Sequence, residues 1–176
     1  MSRSELSLFS YEIMGLVGHG GAGPHDLLRM ARRGRILAWA GESQYYVEPK
    51  RLAKLGYLES HAEPGRTRPR TVYTLTEKGR EAVREWAETP VRFPRLQHEA
   101  LVRLLAADMV DEQITRRSID TLREDIADLA ARLDVAEAMA DTLPHRRKYL
   151  MLGHNLARRM LEVHLEWLDE VDRELS

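Results

Sequence analysis

Two short alternating runs, YLESHAE at 57–63 and RTVYTLT at 70–76, flank a turn containing Gly65 and Pro69. Period-2 alternation on both sides of a Gly/Pro turn predicts a two-stranded ribbon. The patterns around it are helical, so the fold must carry one small hairpin among helices. Residues 7–17 (SLFSYEIMGLV) predict a short helix with Leu8, Tyr11, Ile13, Met14 and Val17 turned inward. The run GHGGAGP stops it, because glycines accept the dihedrals of a helix end. Pro24 suits the first position of a second helix, PHDLLRMARRG, closed by Gly34. A third helix begins near Ser43 and runs through SQYYVEPKRLAKLG to Gly56, and Thr76 caps a fourth through Trp86. Helix, helix, helix, ribbon, helix is the order of a winged helix-turn-helix.

Charge points the same way. The whole chain has a net charge of −1, but residues 29–84 hold 13 basic against 6 acidic side chains, a net of +7. Residues 91–176 hold 13 against 17, a net of −4. A local basic patch on an acidic remainder marks a site for a polyanion. Arg66, Arg68 and Arg70 alternate on the turn between the two strands, where charge is hard to bury and well placed to follow a phosphate backbone. The plainer reading of those arginines alone is solvated surface. Together with Lys50, Arg51 and Lys54 on the third helix, they favour nucleic acid.

Pro90 and Pro94 interrupt the helical pattern and divide the chain into residues 1–89 and 90–176. The second part is almost all helix, so the expected fold class is mainly α: a winged helix-turn-helix followed by a helical, coiled-coil-like dimerisation domain. Ile119, Leu122, Ile126, Leu129, Leu133, Ala136 and Ala140 follow spacings of 3 and 4, a heptad seam with charged flanks that Pro144 ends. A last helix from about Tyr149 carries two apolar stripes. One is Gly153, Ala157, Leu161, Leu168, Val171 and Leu175; the other is Leu152, Leu156, Met160, Val163 and Trp167. So broad an apolar face is either buried within the chain or a subunit interface. The interface is favoured, through Leu156, Met160, Leu161, Val163, Trp167, Leu168 and Val171.

The stretch from Ser43 to Val83 resembles the winged-helix core of the PadR family of bacterial transcriptional regulators. The matching residues are Tyr46, Lys50-Arg51-Leu52 and Gly56, then Arg68-Pro69-Arg70 and Tyr73-Thr74-Leu75-Thr76, closing on Gly79. The stretch YLMLGHNLARRMLEVHLEWLDEV is similar to the C-terminal helical domain of one branch of that family. Two departures stand out: Pro24-His25 where members often have Gly-Tyr, and Pro49 inside the third helix where many have leucine. A proline there removes a backbone donor and predicts either a kink or a helix regular only in its second part.

The resemblance implies a cytoplasmic transcription factor, usually a repressor, that reads an inverted-repeat operator in double-stranded DNA as a homodimer. Ser43, Gln44, Tyr45 and Tyr46 would then reach base edges or phosphates, Lys50 and Arg51 would contact the backbone, and Arg66, Arg68 and Arg70 would lie along flanking phosphates or in the minor groove. Some members bind aromatic or drug-like effectors near the dimer interface, so Trp39 and Trp167 either line such a pocket or are core packing. An enzyme is not expected, since no nucleophile-base-acid set is visible. No cofactor or metal is expected either. His145, His154 and His164 are 9 and 10 residues apart, not the i, i+4 pairing of a helical site, and the chain has no cysteine. No signal peptide is expected at the N-terminus, and no apolar run approaches the roughly 20 residues of a membrane span. The rival from another class is a helical adaptor that binds protein rather than DNA.

Overall fold

The computed structural model describes residues 5–18, 20–33, 40–65 and 69–176, Arg33 by its backbone alone. Its contacts group the chain into two compact units, Met1–Arg92 and Phe93–Ser176. No helix among the described residues is long and apolar enough to cross a membrane.

The first unit runs α1 (Leu8–Val17), α2 (Pro24–Arg33), α3 (Gln44–Lys54), β1 (Leu58–Glu63), β2 (Arg70–Leu75) and α4 (Glu77–Ala87). The expected order of three helices, ribbon and helix is therefore present. Ser7 starts α1 through a capping box with Ser10, each side chain accepting from the other's backbone N–H. That start sets the phase of the helix. Phe9, Ser10, Ile13, Met14 and Val17 face inward, whereas Leu8, expected in the core, is exposed. Thr76 caps α4 by accepting from the Gly79 N–H at 3.1 Å, as its position predicts. Gly79 itself has no room for a side chain, because a Cβ would be driven into the Tyr57 carbonyl oxygen. Tyr11 of α1 stacks on Trp86 of α4 with centroids 4.6 Å apart.

β1 and β2 pair antiparallel from Leu58↔Leu75 at the base to Glu63↔Arg70 at the outer end. The segment read as a mere helix stop does more than stop α1. Ala22 forms a bridge with Tyr73 of β2, each N–H donating to the other's carbonyl at 3.0 Å. Gly23 permits this approach, since a Cβ there would stand 2.8 Å from the Thr71 carbonyl oxygen.

The second unit contains α5 (Glu99–Leu105), a 3₁₀ turn (Ala107–Met109), α6 (Glu112–Asp120), α7 (Leu122–Ala140) and α8 (Pro144–Glu174). The heptad seam is real but spans two helices. Ile119 is buried in the last turn of α6, while Ile126, Leu133, Ala136 and Ala140 are the buried positions of α7. The break at Thr121 coincides with hydroxyls that bond back to the chain: Ser118 donates to the Thr115 carbonyl and Thr121 to that of Ser118. Such bonds compete with the helical ladder. Pro144 does not merely end one helix. It is the first residue of α8, where its missing N–H costs nothing, so α8 starts earlier than the expected Tyr149.

His98 caps α5, accepting the Leu101 N–H at its Nδ1 (3.2 Å). Its ring stacks on His164 of α8, and the two Nε2 atoms are 2.9 Å apart. His164 Nδ1 lies 2.5 Å from the Met160 carbonyl oxygen and donates to it. One arrangement satisfies all three contacts: His98 carries its proton on Nε2 and donates to an unprotonated His164 Nε2. A further proton on His98 would break the cap. Burial, then the charge of His164, pushes His98 below its ordinary value of 6.5. The unfolded chain therefore binds more protons, and stability rises with pH through this region. Urea unfolding should lose stability as pH falls below about 6.5, down through the lowered folded value. His98→Asn keeps a cap but removes the titration, and should flatten that dependence.

Candidate nucleic-acid interface

The face beside the ribbon is built on α3. Tyr46 and Lys50 are exposed there, and Ser43 and Gln44 are exposed at the start of the helix. α3 runs without a break from Gln44 to Lys54, so it is not regular only after Pro49. Pro49 is fully buried, turned away from the exposed face.

Tyr45 is a correction. It was expected to reach DNA, yet it is 1% exposed, packed edge-on against Phe9 with centroids 5.1 Å apart. Its hydroxyl donates to Glu12 Oε1 at 2.8 Å. Burial, then this bond and the charge of Glu12, push its phenol well above the ordinary range. The reason is helical phase: with Leu52 and Pro49 also inward, residue 45 falls on the core side and its neighbours 44 and 46 fall outside.

Arg51 is corrected in the same way. Its guanidinium donates to both oxygens of Glu48 (2.6 and 2.9 Å), to Ser10 Oγ (3.1 Å) and to the Glu5 carbonyl (3.1 Å). Ser10, wholly buried, donates to Glu48 Oε1 at 2.7 Å. The Arg51 hydrogen bonds hold the Glu48 carboxyl below its ordinary value against the opposing effect of burial. Arg51 thus ties α3 to α1 and the segment before it, with its donors engaged there. The i, i+3 spacing of Glu48 and Arg51 suits an ion pair, but nothing local in the sequence announces Ser10 or Glu5 as further partners.

Between the ribbon and the helices lies a groove of about 510 Å3. Gly23, Pro24, His25 and Asp26 at the start of α2, Tyr46 and Lys50 of α3, and Gly65, Arg70, Thr71 and Tyr73 of the ribbon line it. The N-terminus of α2 and Lys50 thus face one concave surface, an arrangement suited to phosphate. Arg70 is exposed, but its fork is engaged by Asp26 Oδ2 (3.1 Å) and Glu63 Oε2 (2.9 Å). Arg66, Arg68 and Trp39 lie outside the described residues. The α2 residues were missed as site residues; the Gly-Pro that opens α2 is the one sequence signal pointing to them.

In the second unit the two stripes of α8 part company. Ala157, Leu161, Leu168 and Val171 are buried within the unit, where α8 packs on α6 and α7. Leu161, Leu168 and Val171 were expected at a subunit interface; they are core instead. Leu152, Leu156 and Val163 remain 61%, 55% and 60% exposed on the outer face, with Met160 and Trp167 half-buried. Trp167 meets the His98 ring edge-on at 5.5 Å. Among the described residues no group of three or more His, Asp or Glu is placed to hold a metal.

No protein-family model matches the sequence, and no curated protein matches it. Solved structures do. Bacillus subtilis PadR in complex with operator DNA superposes with a TM-score of 0.79 at 17% identity, over 98% of this chain and 100% of that one. The fold is the PadR fold. The PadR-like regulator BC1756 from Bacillus cereus matches at a TM-score of 0.76 and 16% identity, over 97% and 99% of the two chains. The Vibrio cholerae virulence activator AphA gives 0.73 and 22%, over 96% and 98%. Bacillus subtilis PadR bound to p-coumaric acid shares the fold too, at 0.70 and 18%, over 96% and 99%. The PadR fold spans both units of the chain.

Proposed function

We propose that this protein is a DNA-binding transcriptional regulator of the cytoplasm that represses by occupying an inverted-repeat operator as a homodimer. Residues 1–89 bind DNA and residues 90–176 hold the dimer together. The observation that carries the reading is the pair Tyr46 and Lys50, exposed on α3 and lining the groove beside the ribbon. Bacillus subtilis PadR, which shares the fold, is held on operator DNA. Two copies related by a two-fold axis require half-sites related in the same way, roughly 34–36 Å apart or a multiple of that. In this assignment Ser43, Gln44 and Tyr46 reach base edges or phosphates, and Lys50 contacts the backbone. Arg66 and Arg68 follow flanking phosphates, on the strength of their sequence positions. An aromatic effector sensed near Trp167 relieves repression, by likeness to the neighbour that holds p-coumaric acid.

Binding of operator and random duplexes, measured across a salt series, tests this. Lys50→Ala should weaken both duplexes and flatten the slope of log affinity against log salt by about 0.9 for each phosphate no longer neutralised, with one such phosphate per subunit. Gln44→Ala should instead lower discrimination between the duplexes, by about 1–3 kcal/mol for each base no longer read. If both variants keep affinity, slope and discrimination, α3 is not the reading helix.

A further inference from the structure

β2 is fastened to the segment around the start of α2 at three successive points. At the inner point Tyr73 and Ala22 exchange two backbone hydrogen bonds. Next, the Thr71 carbonyl lies so close to Gly23 that only glycine fits. The third point is Arg70, the last paired residue before the strand leaves for the turn, which bonds Asp26 of α2 and its cross-strand partner Glu63. Asp26 is the more enclosed member of its pair, with its side chain 20% exposed against 52% for Arg70. It also accepts from Arg29 Nη2 at 2.5 Å. In the first turn of α2 a carboxylate is favoured by the helix dipole, so Asp26 is itself a stable anchor.

We propose that Asp26 is a positioning residue for DNA recognition: acting through Arg70, it sets the direction in which the ribbon leaves the helices. The proposal rests on the DNA-binding reading. It reverses the role expected for Arg70, whose donors are turned to Asp26 and Glu63 rather than to phosphate. It also predicts a sign opposite to simple electrostatics. A carboxylate lining a groove that receives a polyanion repels it, so neutralising Asp26 would ordinarily tighten binding. If Asp26 holds the ribbon, neutralising it weakens binding despite the gain in net positive charge. An exposed ion pair limits the effect to about fivefold at most.

The test is a double-mutant cycle on duplex binding by the full chain, with Asp26→Asn, Arg70→Gln and the double variant, each across a salt series. Both single variants should weaken binding, the double variant should be no weaker than Arg70→Gln, and the salt slope should not change. Tighter binding by Asp26→Asn overturns the proposal. So does a slope flattened by about 1.8 in Arg70→Gln, which marks Arg70 as a phosphate ligand in both subunits. Amide hydrogen exchange gives a readout independent of DNA. In Asp26→Asn the outer ladder around Glu63 and Arg70 should exchange faster, while α2 and the inner ladder at Leu58 and Leu75 keep their rates. Unchanged exchange at the outer ladder, or opening of α2 with it, overturns the proposal. A wild-type chain that binds no duplex sinks the DNA-binding reading, and the exchange experiment still decides whether Asp26 holds the ribbon.

Discussion

Tyr45→Ala is expected to unfold the first unit rather than to blunt its choice of DNA sequence. Truncating a fully buried aromatic residue costs about 3–5 kcal/mol, which is most of the stability of many domains. Here the loss is compounded. The Tyr45 hydroxyl is the partner of Glu12 Oε1, and the other oxygen of that carboxylate is buried with no hydrogen-bond partner among the described residues. Removing the donor leaves the group with nothing to offset its desolvation, a further cost of about 1–3 kcal/mol. Tyr45→Phe separates the two effects. It keeps the ring against Phe9 and loses only the hydroxyl, so chemical denaturation should register the smaller loss alone. At temperatures where Tyr45→Phe remains folded, its discrimination between operator and random duplex should equal that of the wild type. A variant as stable as the wild type that has lost discrimination would return Tyr45 to the DNA.

The second large effect is expected on the outer face of α8. Leu156 and Val163 are exposed, so Leu156→Glu with Val163→Glu leaves the core of the unit untouched. If this face joins two copies, the double variant should sediment as a monomer. Its operator affinity should then fall by about 10²-fold or more, because engagement of the second half-site is no longer intramolecular. Thermal unfolding of each unit should be close to that of the wild type once allowance is made for the absence of association. Leu161 or Leu168 behaves differently. Replacing either with alanine opens a cavity within the unit and should cost about 2–5 kcal/mol of folding stability. A double variant that stays dimeric would move the interface elsewhere.

Much of this molecule is legible without coordinates because the signals are local. Alternation over 57–63 and 70–76 specifies a ribbon, since side chains on a strand face opposite ways at each step. Pro24, Thr76 and Gly56 mark element ends through their own backbone and capping chemistry, and each is found where that chemistry predicts. The 3-4 spacing from Ile119 to Ala140 announces a helical seam, and every seventh residue of it (Ile119, Ile126, Leu133, Ala140) is buried. Charge clustering around the ribbon is likewise a property of the chain itself.

What the chain alone leaves undecided is which of two adjacent polar or apolar residues turns inward, and to whom each charge is bound. Tyr45 and Tyr46 are the same residue type one step apart, about 100° around a helix; packing against Phe9 and Glu12 buries the first and exposes the second. Lys50 and Arg51 are also neighbours. Arg51 takes its carboxylate from Glu48 on its own helix, but only the approach of α1 adds Ser10 to that pair, while Lys50 is left lining the groove. Arg70 meets Asp26 across 44 positions of sequence, and His98 meets His164 across 66. The two stripes of α8 are nearly equal in apolar content; α6 and α7 cover one of them and leave the other open. Local periodicity, capping and composition determine the elements and their order. Contacts between residues far apart in sequence decide which side chains remain free to act, because burial and ion pairing depend on what the rest of the chain brings alongside.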